Sequence, residues 1–149
     1  MGDTQQSQAA LLRESLAGMV SQGTELPERF FRRLFDANTG IRQLFGHTDV
    51  PLHYVTFVAA LDFVVRNLDQ RAVLERTLRE LGVRHVRYGA LPDYFADFGD
   101  CLLRAMAEVS GPRWSMQLEL AWRTLFEQMA EIMLDGASDF ERSHETRIG

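Results

Sequence analysis

The apolar residues of this chain recur with the period of an α-helix, and one such stripe ends on a histidine. In the stretch LERTLRELGVRHVRYG (74–89), Leu74, Leu78 and Leu81 follow at helical spacing, and the next step on that face lands on His85. A histidine closing an apolar stripe admits two readings. It is a core residue satisfied by a backbone carbonyl, or it is a metal or haem ligand, because neutral imidazole needs an apolar shell to bind iron. The choice depends on whether the rest of the chain builds the other half of a pocket.

The same period runs through the whole sequence. Leu12, Leu16, Met19 and Val20 share one face of a first helix ending near Gly23. Thr24 is placed to cap a second helix, with Pro27 in its first turn and Phe30, Phe31, Leu34 and Phe35 as a dense aromatic face. Asn38, Thr39 and Gly40 break the pattern, and a short turn carrying Leu44 and Phe45 leads into a loop at Gly46–Thr48. Asp49 and Pro51 then signal a helix start. Its stripe is Val50, Tyr54, Phe57, Val58, Leu61, Val64, Val65 and Leu68, and His53 projects from the same face. Asp69 is placed to cap the helix that reaches His85, and Gly89 ends that helix. Pro92 opens another, with Phe95, Phe98, Leu102, Ala105, Met106 and Val109 on one side. After the breaker at Ser110–Pro112, Trp114, Leu118, Ala121, Trp122, Leu125, Met129, Ile132 and Met133 define a last helix. Strand-like alternation is absent. The expectation is an all-α fold of six to seven helices in a single domain, 1–149. Its ordered core covers about 9–136, Met1–Gln8 fray, and the polar tail 137–149 is mobile.

Composition removes several function classes. A net charge of −5 argues against nucleic acid or an anionic membrane as partner. A single cysteine, Cys101, excludes an internal disulfide and a cysteine-only metal site, and reads as a small core residue. There is no basic-then-apolar leader, and no apolar run approaches the length of a membrane-spanning helix. Neither secretion nor a membrane span is therefore expected, and the default is cytoplasmic. The Glu-x-x-His motif of di-iron bundles is missing. Gly82, Gly89 and Gly99 are too dispersed for a phosphate loop, and no nucleophile elbow occurs. Two inward histidines, His53 and His85, facing each other through aromatic walls fit a haem better than any other common cofactor.

Five short pieces stand in register: FFRRLF (30–35), IRQLF ending in Phe45, LGVRHVRYG around His85, FGDCLL (98–103), and Ala121–Trp122. With them the chain resembles a bacterial single-domain globin, related to the globin domains of flavohaemoglobins, over about Leu12–Met133. The resemblance implies a globin fold around a haem b pocket, with His85 as the proximal ligand of the iron. It places Phe45 against the haem and His53 at the distal position. Leu52 is the alternative distal residue. Phe57 lines the ligand pocket, and Phe31 stands where many bacterial globins put a tyrosine hydroxyl. Leu81, Tyr88, Phe95 and Val58 join the haem packing. Arg84 and Arg87 are propionate partners or solvated helix-end arginines. The second imidazole nitrogen of His85 needs a carbonyl, with Leu81 one turn back in place to supply it. An N–H from His53 over the bound gas would hold it by roughly 1–2 kcal/mol. His53 is itself able to ligate iron if the loop at 46–48 yields.

The function implied is reversible binding of O2, NO or CO, by a monomer or homodimer. The alternatives are a nitric oxide dioxygenase or peroxidase served by an external reductase, and a haem-based gas sensor. Flavohaemoglobins back the proximal histidine with a tyrosine and a glutamate. Here ungapped alignment puts Phe95 at the tyrosine place, with Tyr94 adjacent, and Ala137 at the glutamate place. With Phe31 in the distal pocket and no flavin or nicotinamide domain in these residues, the carrier reading leads.

Overall fold

The computed structural model describes residues 2–90 and 92–148, with side chains from 8 to 143 except residue 91. The described residues form seven α-helices and one 3-10 turn and contain no strand. They are α1 (Gly2–Val20), α2 (Glu25–Ala37), α3 (Thr39–Phe45), α4 (Leu52–Arg66), α5 (Arg71–Arg87), α6 (Tyr94–Ser110) and α7 (Met116–Ile148), with the 3-10 turn at Gly111–Arg113.

The stripes read from the sequence are the core. Leu12, Leu16 and Met19 of α1, Leu61, Val64 and Val65 of α4, and Leu74 and Leu78 of α5 are buried. So are Cys101–Leu103, Ala105, Met106 and Val109 of α6. Trp122 of α7 is fully enclosed, and its Nε1–H donates to Ser15 Oγ at 3.1 Å, which satisfies the one polar atom its burial would otherwise strand. Val20, by contrast, is exposed at the last turn of α1.

Several helix ends differ from the sequence expectation. Asp49 and Asp69 cap nothing: α4 follows a turn in which Asp49 O accepts from Leu52 N, and α5 starts after Gln70. Thr24 precedes α2, but its hydroxyl donates to Glu28 Oε1 at 2.8 Å and caps no backbone group. Side-chain caps are found instead at Asn38, whose Oδ1 accepts from the amides of Gly40 (2.9 Å) and Ile41 (3.3 Å), and at Ser115, whose Oγ accepts from Leu118 N at 3.2 Å at the start of α7. Asn38 also holds a neighbouring helix. Its Nδ2 donates to Asp97 Oδ2 at 3.1 Å, tying the α2–α3 corner to α6. Pro92 lies in the turn before α6, and α1 is helical from Gly2.

The segment after Gly136, read as a polar tail, runs on as helix to Ile148. It is held because α5 lies against it. Ala137 is buried, and Asp139 pairs with Arg79 of α5 as well as with Arg142. The Arg87 guanidinium lies 5.7 Å from the centre of the Phe140 ring.

Candidate haem site

Two helix pairs set the site. α4 packs on α1 and α2, while α5 packs on α7, and α4 and α5 have almost no contact with each other. His53 stands in the first turn of α4 and His85 in the last turn of α5, on two helices that hardly touch each other. The end of α3 meets the end of α5. A Cβ on Gly89 would lie 2.8 Å from Leu44 Cδ2, and Gly89 itself takes φ +102°, which suits glycine.

His85 is half-buried, and its Nδ1 lies 2.9 Å from the carbonyl oxygen of Leu81. A carbonyl only accepts, so Nδ1 carries the hydrogen and Nε2 presents its lone pair outward. Burial pushes the imidazole below its usual 6.5. The Leu81 carbonyl works against that shift and the charge of Arg84 adds to it. That shift favours the neutral ring, and a neutral imidazole with a free Nε2 is able to bind a metal.

The other wall is aromatic. Phe45, at the end of α3, meets Phe31 (5.7 Å between ring centres), Phe35 (5.1 Å) and His53 (5.3 Å). The His53 ring stands edge-on to Phe45, at 89° between planes. Phe57 stacks on Phe30 at 4.7 Å and also touches Phe31 and Phe98. The aromatic face of α2 thus continues through α3 into α4 and α6, and His53 is the polar side chain seated edge-on against it.

The residues expected to line a haem pocket separate into two sets. His53, Phe31, Phe45 and Phe57 come together, and Phe45, Leu81 and Phe95 pack on the core. Leu52 is 71% exposed, because one residue earlier on the helix turns the side chain about 100° from His53. Tyr88, at the C-cap of α5, is 75% exposed, and Val58 is half-buried. Arg84 is exposed, and Arg87 is engaged with Phe140. Tyr94 does not back His85: its hydroxyl abuts Gly40 of α3, where an added Cβ would lie 2.6 Å away.

Sequence reasoning missed Gly82 and Gly136. A Cβ on Gly82 would lie 2.0 Å from Met133 O, and one on Gly136 would lie 2.6 Å from Arg79 Cα. These two glycines let the backbones of α5 and α7 touch. The available signal was the glycines themselves, since glycine in a helix interior costs about 1 kcal/mol relative to alanine and needs a reason.

A haem fits these residues. The imidazole of His85 offers a free nitrogen, and α2, α3 and α4 supply a cluster of aromatic rings with His53 beside it. The Globin family model matches residues 28–133, most of the chain. This chain is a globin. As a globin it is a haem-binding protein that takes a diatomic gas. It is similar to the flavohemoprotein of Bordetella pertussis, 26% identical over 127 residues, which are 84% of this chain and 32% of that protein. The globin thus spans about a third of the length of the flavohemoproteins it matches. Leghemoglobin-1 of Lupinus luteus is 26% identical over 149 residues, covering 89% of this chain and 95% of its own. The bacterial globin of Campylobacter jejuni superposes with a TM-score of 0.79 at 15% identity, over 92% of this chain and 99% of that one, a likeness of fold. Among the described residues no helix is long and apolar enough to cross a membrane.

Proposed function

We propose that this globin is a reversible carrier of a diatomic gas, working in the cytoplasm as a single domain spanning 1–149. His85 holds the iron, and His53 donates an N–H to the gas. The observation that carries this reading is the contact between His85 Nδ1 and Leu81 O. It orients the ring, commits the hydrogen to Nδ1, and leaves one nitrogen free for a metal. Haem, when bound, supplies the open iron position at which the gas adds. Phe45 would lie against the bound ring, and Phe31 and Phe57 would keep water from the gas. His53 is held edge-on to Phe45 and so donates from a fixed direction.

What favours carriage over turnover is what stands behind His85. A carboxylate and a phenol there would raise electron density on the imidazole. By ungapped alignment the glutamate place falls on Ala137, a buried apolar residue, and the Tyr94 hydroxyl abuts Gly40 of α3. The test is the spectrum of the purified protein reconstituted with haem. A Soret band that shifts with oxygen and carbon monoxide is expected. His85→Gly should lose haem, and added imidazole should restore it. Haem held equally well by His85→Gly without imidazole refutes the assignment.

A second reading is gas turnover with electrons from a separate reductase, and the similarity to flavohemoproteins favours it. Rapid mixing of the oxygenated protein with nitric oxide, followed by reductant, decides. Re-reduction by a flavin reductase fast enough to sustain turnover selects this reading, and negligible re-reduction removes it.

A further inference from the structure

We propose that the outer face of α4 is the contact surface of a homodimer, in which two copies of this helix cross antiparallel. The inference stands apart from the gas-carrying reading. From Val50 to Leu61 the chain carries no Asp, Glu, Lys or Arg, although such residues make up 25% of the sequence. The inward side of that stretch is the wall that holds His53 and Phe57. Its outward side is Leu52, Val55, Thr56 and Ala59, which fall within about 100° of arc on the helix. All four are exposed, Val55 at 78%, and they stand opposite the buried Leu61 and Val64. Outer faces elsewhere are charged: Glu28, Arg32 and Asp36 on α2, and Asp100 and Arg104 on α6, are all in solvent. An apolar stripe left exposed in this way is the mark of a surface that is covered in use.

The two ends of the face choose the occupant. Asp49, exposed just before α4, has no ion pair among the described residues. Arg66, exposed in the last turn, pairs with Asp62 through Nε at 2.8 Å, and its two terminal nitrogens have no partner among the described residues. The face is thus apolar between a carboxylate at one end and a guanidinium at the other, and a second copy laid antiparallel meets it with the charges reversed. Positions 49 and 66 are equally far from the midpoint between Thr56 and Ala59. A two-fold axis there sets each Asp49 opposite Arg66 of the other copy. The same axis brings Thr56 onto Ala59, and small side chains at the crossing let the helices approach closely. Parallel copies would set Asp49 against Asp49. Elsewhere two copies, each of net charge −5, repel one another, which leaves this neutral face as the place where they meet. The end that carries Arg66 is held firm by Arg13 of α1, whose Nε donates to Val65 O at 2.8 Å. Leu52 to Arg66 spans only about 21 Å of helix. That is too short for the roughly 800 Å² per partner of a standard interface, so the dimer is weak and reversible.

The experiment is sedimentation velocity of the purified haem-loaded chain over a concentration series reaching about 1 mM, where a small interface associates. Wild type should pass reversibly from monomer to dimer. Val55→Arg, an exposed change whose thermal unfolding should match wild type, should stay monomeric throughout. Met116→Arg, at a similarly exposed apolar position on α7, should dimerise as wild type does. Asp49→Arg and Arg66→Asp should each weaken association roughly tenfold, since each turns both ion pairs into like-charge contacts. Combined, they should restore it to within about threefold of wild type. A wild type that is monomeric at every concentration overturns the proposal. So does a dimer that survives Val55→Arg, or one that Met116→Arg dissolves. Single charge reversals without effect, or a double variant no better than either single, overturn the antiparallel pairing. A wild type that stays monomeric but sediments with phosphatidylcholine vesicles gives the face to a lipid surface, which overturns the proposal as well.

Discussion

Gly82→Ala is the sharpest test of how the histidine helix is seated. The new Cβ would stand 2.0 Å from Met133 O, against the 3.4 Å at which ordinary contact begins, so α5 and α7 must part to make up the difference. The obstacle is a main-chain carbonyl within a helix, which has no rotamer to change. Overpacking of this kind costs on the order of 1–3 kcal/mol, and a rigid obstacle belongs at the upper end. Alanine recovers about 1 kcal/mol of helix propensity. The net expectation is a loss of about 2 kcal/mol, or roughly 4–8 °C in the unfolding temperature of a domain this size. The assay is thermal and urea unfolding of the apoprotein, followed by the rate at which the haem-loaded protein surrenders haem to a scavenging apoprotein. Gly99→Ala is the control: a Cβ there meets nothing within 4 Å, and its apoprotein should be unchanged or up to about 1 kcal/mol more stable. His85 lies one turn beyond Gly82, so haem loss should be faster in Gly82→Ala. Unfolding and haem retention equal to wild type would refute the close crossing.

Other outcomes follow from single contacts. Ser15→Ala strands the fully buried Trp122 Nε1–H and should cost about 1–2 kcal/mol in urea unfolding, and an unchanged midpoint would mean that the indole finds another acceptor. Burial holds the His85 pKa below 6.5, so between its folded value and 6.5 the unfolded chain binds more protons. Apoprotein stability should therefore be level above about pH 7 and fall on acidification through that window. His85→Gln should lack this component, and an identical pH profile for the variant would contradict it. Burial, with Asp97 next in effect, raises the Cys101 thiol. A disulfide reagent at pH 8 should label it slowly in the native protein and at once after unfolding, and immediate native labelling would contradict that.

What was legible in the sequence was whatever depends on one helix at a time. The stripes of α1, α4, α5 and α6 turned inward as their period required, because a face with no polar group has nowhere else to go. Cap positions were read less well. Asp49, Asp69 and Thr24 are all suitable residues, yet the side-chain caps are Ser115 and Asn38, the latter where the chain turns a corner that α6 also holds through Asp97. The α7 extension was read as a tail because ASDFERSHETR has no apolar stripe, and its helix depends on Arg79 and Arg87 of a different element.

The sequence by itself determined that the chain is helical, that His53 and His85 sit on inward faces, and that the resemblance is to globins. Periodicity and residue chemistry are local properties, and each helix carries its own. Only the tertiary structure decided which aromatic rings meet His53, that Leu52 points away, and that Arg87 is taken by Phe140. It alone showed that two glycines let α5 rest directly on α7. The physical reason is that the absence of a Cβ acquires meaning only when another backbone arrives to fill the space. Met133, which supplies that backbone at Gly82, is separated from it along the chain by the whole of α6.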